Sequence, residues 1–243
     1  MTLAERGALQ AFLTTVAYLP RSSLDIVVQR LGGFFGGRLR GALMRRAIEN
    51  VPAEFVRTRP LYEALRTIAQ QAGVNAILTD RIWDKMARDF DAWVAEDYVD
   101  KAAAIYAYEY TAHETFSRAG KANVAKILDL PSLDSRAYQA LLRAEKSRYP
   151  ELRGRYDDYF EKKFPQRQAR RDAERDMADV IVANSTLTMR SHVKAGADPA
   201  KFIVVPLAAP PLHRTRRRCS RSPAASPDMV WNLFAEKRRP HLS

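Results

Sequence analysis

ERDMADVIVANSTLTMRSHVKAGADPAKFIVVP, residues 174–206, decides the fold of this chain. Its punctuation reads as a helix end, a strand, a second helix and a second strand. Val180–Asn184 (VIVAN) is short, apolar and β-branched, the composition of a parallel strand buried on both faces. Ser185 or Thr186 follows and can cap the next helix by accepting its free amide protons. Gly196 closes that helix, because glycine takes the left-handed conformation without steric cost. Asp198–Pro199 turns the chain. Phe202–Pro206 (FIVVP) is the second strand, ended by a proline that cannot donate to a ladder. Strand, crossover helix and parallel strand make a right-handed unit. The two strands are expected side by side and co-directional, as inner members of one sheet.

Upstream the same alternation continues. Leu9–Pro20 reads as an early strand. Ser23–Leu31 and Arg38–Ile48 have helical spacing around the turn Gly32–Gly37 (GGFFGG). Glu54–Pro60 is extended. Pro60–Gly73 is a helix with proline in its first turn, glycine after its end and a stripe of Leu61, Leu65 and Ile68. Val74–Ala95 is a second helix, with Ile77, Leu78, Ile82, Met86, Phe90 and Trp93 on its apolar side. Ala102–Glu109 is a strand, followed by a helix capped by Thr111 and closed near Gly120. Val124–Pro131 is a strand, and Asp134 caps a helix that runs to Arg148. Gln166–Met177 is a highly charged helix leading into Val180. Strands alternating with helices predict α/β: a Rossmann-like parallel sheet with flanking helices.

The pattern Glu-x-x-x-Ala-Asp-x-x-x-x-x-Ser, a helix ending in glycine and a Lys-Phe-Ile-Val-Val-Pro strand resembles family 4 glycosyltransferases of the GT-B fold. Here it is Glu174, Ala178, Asp179, Ser185, Gly196 and Lys201–Pro206. The resemblance covers residues 100–207 with usable motifs. It implies the acceptor-side domain, one half of a GT-B fold, and transfer of sugar from a nucleotide-sugar to a glycan or lipid-linked acceptor. The nucleotide-sugar is then a co-substrate, and no further cofactor is implied. The family continues with a Pro-x-Gly crossing into a donor-binding domain carrying two glutamates seven residues apart. Here Pro206-Leu207-Ala208-Ala209 stands at the crossing, and the glutamate pair is not found in a suitable place. The family's opening strand and Gly-rich loop also have no counterpart before LAERGALQAFLTT. The chain is therefore expected to be truncated and inactive alone.

Composition bounds the alternatives. With 243 residues, 47% hydrophobic, the chain can bury a real core. Its +12 net charge suggests a polyanion or an anionic membrane surface as partner. Half of that charge sits in residues 212–243, whose clustered Arg, Pro and Ser read as a disordered tail, so residues 1–211 are the expected domain. A basic nucleic-acid-binding protein and a non-catalytic scaffold are the competing classes; the concentration of charge in an odd tail makes nucleic acid the weaker partner. Gly37–Ile48, with Arg38, Arg40, Arg45 and Arg46 beside Leu39, Leu43, Met44 and Ile48, reads either as a surface helix or as a peripheral membrane contact. The single cysteine, Cys219, excludes an internal disulfide and fits the cytoplasm. No apolar run reaches a membrane span and no signal peptide is read. The histidines at 113, 192, 213 and 241 are scattered, so no metal site is expected.

Ligands of open α/β sheets bind at the carboxyl ends of the strands. A sugar transferase needs a base for the acceptor hydroxyl and donors for the leaving diphosphate. Glu109, His113 and Asp129 are the candidate catalytic groups. Tyr110, Asn184, Ser185 and Thr186 are the candidate acceptor- or phosphate-binding groups, since amides at a helix start hold anions. Each has a structural alternative. Glu109 can face the start of the following helix, Asp129 can simply terminate its strand, and His113 can be a solvated first-turn residue. Ser185 and Thr186 can be caps. Glu174 and Asp179 are expected to form ion pairs with the arginines at 167, 170, 171 and 175 rather than to touch sugar.

Overall fold

The computed structural model describes residues 3–17, 48, 51–59 and 73–207. The chain divides into two units, Met1–Leu207 and Ala208–Ser243, and the described residues all belong to the first. The expected helices at 23–31, 38–48 and 60–73, the glycine turn 32–37 and the tail after 212 fall outside the described residues, apart from Ile48 and Gly73 at two of their ends.

The chain is an α/β fold with parallel sheets. Two short strands, β1 (Phe12–Thr14) and β2 (Val56–Thr58), pair in parallel. They are shorter than the expected Leu9–Pro20 and Glu54–Pro60, and a 3₁₀ turn at Ala53–Phe55 precedes β2. Helix α1 (Ala76–Asp97) is capped by the Asn75 side chain, which accepts from the Ile77 amide at 2.8 Å. Then follow β3 (Ala104–Tyr108), α2 (His113–Lys121), β4 (Ala125–Leu130), α3 (Ser135–Arg148), α4 (Arg155–Met177), β5 (Val180–Ala183), α5 (Thr186–Lys194) and β6 (Phe202–Val204).

The main sheet has strand order β3-β4-β5-β6, every pair parallel. The strands thus step in one direction across the sheet. Right-handed crossovers then send the connecting helices to the same face. Ala107, Leu128, Ile181 and Phe202 lie in one cross-strand row on that face. Leu128 and Ile181 join Ala112, Phe116, Leu130 and Ala178 in the buried core, with Met177 of α4 and Phe202 packed against it. Successive strand residues alternate faces, so the opposite face carries the row Tyr108, Asp129, Val182 and Ile203.

That opposite face corrects one expectation. VIVAN is not buried on both sides: Ile181 and Ala183 are buried, while Val180 and Val182 stay half-buried. A second correction concerns rank. Among the described residues β5 is an inner strand but β6 is at the sheet edge. Composition marks a strand as apolar, but it does not say how many neighbours or layers surround it.

Local punctuation is mostly as expected. Asp134 caps α3 by accepting from the Arg136 amide at 2.9 Å. Ser185 caps α5 by accepting from the Thr188 amide at 3.1 Å. Gly196 follows α5 with φ +98°, and Asp198 starts the turn at Pro199–Lys201. Two helices depart from expectation. Thr111 does not cap α2; its hydroxyl donates back to the Tyr108 carbonyl at 3.0 Å, and carboxylates from α1 and α4 serve the helix start instead. Helix α4 begins at Arg155, not Gln166, because it runs through Pro165 and forgoes the one backbone bond that proline cannot donate.

Candidate functional site

The carboxyl ends of β3, β4 and β5 share one edge of the sheet, and α4 runs beside it. Glu109 is the first residue past β3. Its amide donates to the Asp129 carbonyl at 3.1 Å, extending the ladder by one bond. Its side chain is 15% exposed and lies 3.3 Å from Nε of Arg171 on α4. Burial pushes the Glu109 carboxyl above its ordinary range; Arg171 pulls it down, and the neighbouring Asp134 pushes it up again. A shielded carboxyl raised in this way, at a strand end, has the makings of a general base or acid.

Tyr110 sits next to it with φ 78°, a left-handed backbone that a bulky residue adopts only when its surroundings enforce it. The enforcement is visible. The ring stacks on Trp83 at 5.1 Å and 11°, and the Arg171 guanidinium covers it at 4.7 Å. Its hydroxyl donates to Asp84, and its amide donates to Glu174 at 2.5 Å. Tyr110 is therefore buried structural material that fixes where Glu109 stands.

The start of α2 is held by two carboxylates. Glu174 accepts from the amides of Tyr110 and Ala112, the latter at 3.2 Å. Asp91 accepts from the amides of Glu114 and Thr115 at 2.8 and 2.9 Å. Both acids are fully buried, and Arg170 bridges them. Negative charge at a helix N-terminus is favourable, so the chain supplies its own anions there. Burial pushes Glu174 up, against the pull of those two amides and of Arg170. Asp179 accepts from the Lys126 amide and ammonium at 2.8 and 2.9 Å. Glu174 thus takes up an arginine as expected, whereas Asp179 takes up a lysine.

The remaining candidates are scattered. Asp129 lies inside β4 on the open face, where the Tyr106 hydroxyl donates to it at 2.7 Å. The Glu109 and Asp129 side chains are thus on opposite faces of the sheet. His113 is half-exposed in the first turn of α2, with Nδ1 3.0 Å from Glu114. Asn184 donates to the Pro131 carbonyl at 2.6 Å and accepts from the Thr188 hydroxyl at 2.7 Å, tying two loops together. Ser185 is a cap, and Thr186 is exposed at the first position of α5.

One group beside this edge carries no local sequence signal. His192 of α5 is buried; its Nε2 lies 3.1 Å from the Ser132 carbonyl, and its Nδ1 faces Asp134 at 3.7 Å. Asp134 also meets Arg136 and Arg175, and Asp172 meets both arginines. His192 and Ser132 are 60 residues apart, so only the fold joins them. Among the described residues no three His, Cys, Asp or Glu side chains converge as metal ligands do. Among them, too, no helix is long and apolar enough to cross a membrane. Neither a family model nor a curated protein matches the chain.

Proposed function

We propose that residues 1–211, whose family resemblance is carried by 100–207, are the acceptor-side half of a GT-B, family 4-like glycosyltransferase, and that Glu109 is its base. The observation that carries this is Glu109 itself: a shielded carboxyl at the carboxyl end of a parallel strand, raised by burial and steadied by Arg171 at 3.3 Å. Sugar transfer needs such a group. As the acceptor oxygen bonds to the anomeric carbon, the hydroxyl proton passes to the carboxylate and the nucleoside diphosphate leaves with its bonding pair. Support also comes from the residues that carry the family resemblance. Glu174 ties α4 to the β3–α2 turn, and Asp179 ties the start of β5 to β4. These residues build the unit; they do not face substrate.

In this reading the donor is a nucleotide-sugar held largely by a partner domain. The acceptor is a glycan or lipid-linked saccharide, met in the cytoplasm at the inner membrane face. Asp129 and His113 are left out of the catalytic set, the first by its face of the sheet and the second by its exposure. The test is acceptor binding by the whole chain, followed by NMR saturation transfer across glycans and lipid-linked saccharides. Binding that is lost in Glu109→Gln and Arg171→Ala supports the assignment. A folded chain that binds none of them refutes it.

A further inference from the structure

The face of the main sheet away from the helices carries chemistry that Glu109 does not use. Tyr106 and Tyr108 alternate onto it from the edge strand β3, 55% and 59% exposed. Their rings stand perpendicular, at 89° with centroids 6.4 Å apart. Asp129, in register with Tyr108 on the neighbouring strand, receives the Tyr106 hydroxyl on Oδ2 at 2.7 Å. Burial and this bond push the Tyr106 phenol above its ordinary range. In a chain of net charge +12, no cation among the described residues lies within ion-pair distance of Asp129. Val182 and Ile203 continue the row as a flat apolar floor.

A lone carboxylate rising from an apolar sheet beside two open aromatic rings calls for a partner with two properties. It must offer a flat face of C–H groups to the rings, and hydroxyl donors at its rim to the carboxylate. We propose that Tyr106, Tyr108 and Asp129 form a platform for a neutral saccharide, with one pyranose ring over Tyr108 and its hydroxyls on Asp129. A sugar bound here leaves Asp129 and the Tyr106 hydroxyl hydrated at their edges. A protein surface laid flat over the face would strip water from both, which is costly unless it brings a cation to Asp129. The proposal rests on this face alone and does not need Glu109, whose side chain is on the other side of the sheet.

The test uses the whole chain and three probes: cellopentaose, maltopentaose and chitopentaose. Tyrosine ring signals are followed by NMR and affinities by calorimetry. At least one probe is expected to shift the Tyr106 and Tyr108 rings. Tyr108→Ala and Asp129→Asn should each weaken that binding about tenfold, whereas Tyr108→Phe should keep it because stacking survives. Tyr108 is exposed, so its removal leaves the core intact. Glu109→Gln should leave platform binding in place. Binding lost in Glu109→Gln but kept in Tyr108→Ala would move the sugar to the strand-end site and overturn the platform. No shift with any probe would overturn it as well. So would a concentration-dependent dimer in sedimentation that Tyr108→Ala dissolves, since the face would then be an interface between copies.

Discussion

Replacing Glu174 by alanine should be among the most damaging single changes available in the described unit. Glu174 is fully buried and accepts from the Tyr110 amide at 2.5 Å and the Ala112 amide at 3.2 Å, with Arg170 Nε at 3.4 Å. Alanine leaves two buried amides without an acceptor, at about 1–3 kcal/mol each. Together the two amides cost about 2–6 kcal/mol, a large part of the ~5–15 kcal/mol that holds a domain folded. Arg170 keeps Asp91, so the change does not also orphan a cation. The internal control is Glu161→Ala. Glu161 pairs with Arg143 at 3.5 Å in the open, where such pairs contribute about 0–1 kcal/mol. Urea unfolding followed by Trp83 and Trp93 fluorescence gives both midpoints, compared at equal slope. Glu174→Gln should fall between the two, because its single carbonyl oxygen can serve one amide and its NH₂ group confronts the other. If Glu174→Ala lies within about 1 kcal/mol of Glu161→Ala, the claim that this carboxylate anchors the β3–α2 turn is wrong.

Two further outcomes follow from the same region. Burial alone would raise Asp80, but hydrogen bonds and charge from Arg167, with Tyr156, bring it below its ordinary value of 3.8. Its stabilisation is therefore present above the unfolded pKa and lost as pH falls through the lower folded value; urea midpoints of wild type and Asp80→Asn should converge on acidification, and a constant gap would contradict this. Tyr110→Ala should cost about 3–5 kcal/mol, as large-to-small core changes do. At φ 78° glycine is free of the roughly 1–2 kcal/mol left-handed penalty that alanine bears, so Tyr110→Gly should unfold no earlier than Tyr110→Ala.

The strands and helices after residue 74 were legible because each carries a local mark. Val180–Ala183 is β-branched, Asp134 and Ser185 sit directly before the helices they cap, and Gly196 sits where a positive φ is needed. What could not be read was supplied from far away. Thr111 has the right chemistry for a cap and the right place, yet α2 begins on Asp91 and Glu174, 23 and 62 residues distant. The helix expected from Gln166 begins at Arg155 and continues through Pro165, where a proline usually ends one, and only packing decides that. At the candidate site, Glu109 could be placed at a strand end from the alternation alone. Its separation from Asp129 needed the register, because one residue along a strand changes the face.

The winding of the sheet also settles what the arginines of α4 are doing. Because β3, β4, β5 and β6 step one way, α2 and α4 end up side by side on one face, with α1 packed against them. That places Arg167 against Asp80, Arg170 against Asp91 and Glu174, Arg171 against Glu109, and Arg175 against Asp172. All four are largely buried and every one faces a carboxylate. Their charge is cancelled at contact distance, so they contribute little to the field outside. A nucleic-acid reading needs cations that release counterions from a phosphate backbone, and these have already been matched within the fold. The excess that makes the chain basic lies half in residues 212–243, so the charge of the whole is a poor guide to the surface of the α/β unit. The same packing that cancels the arginines leaves Asp129, one residue out of phase on β4, without a cation among the described residues. The helix-covered face is where charge has been neutralised, and the tyrosine face is where a hydroxylated ligand can still be met.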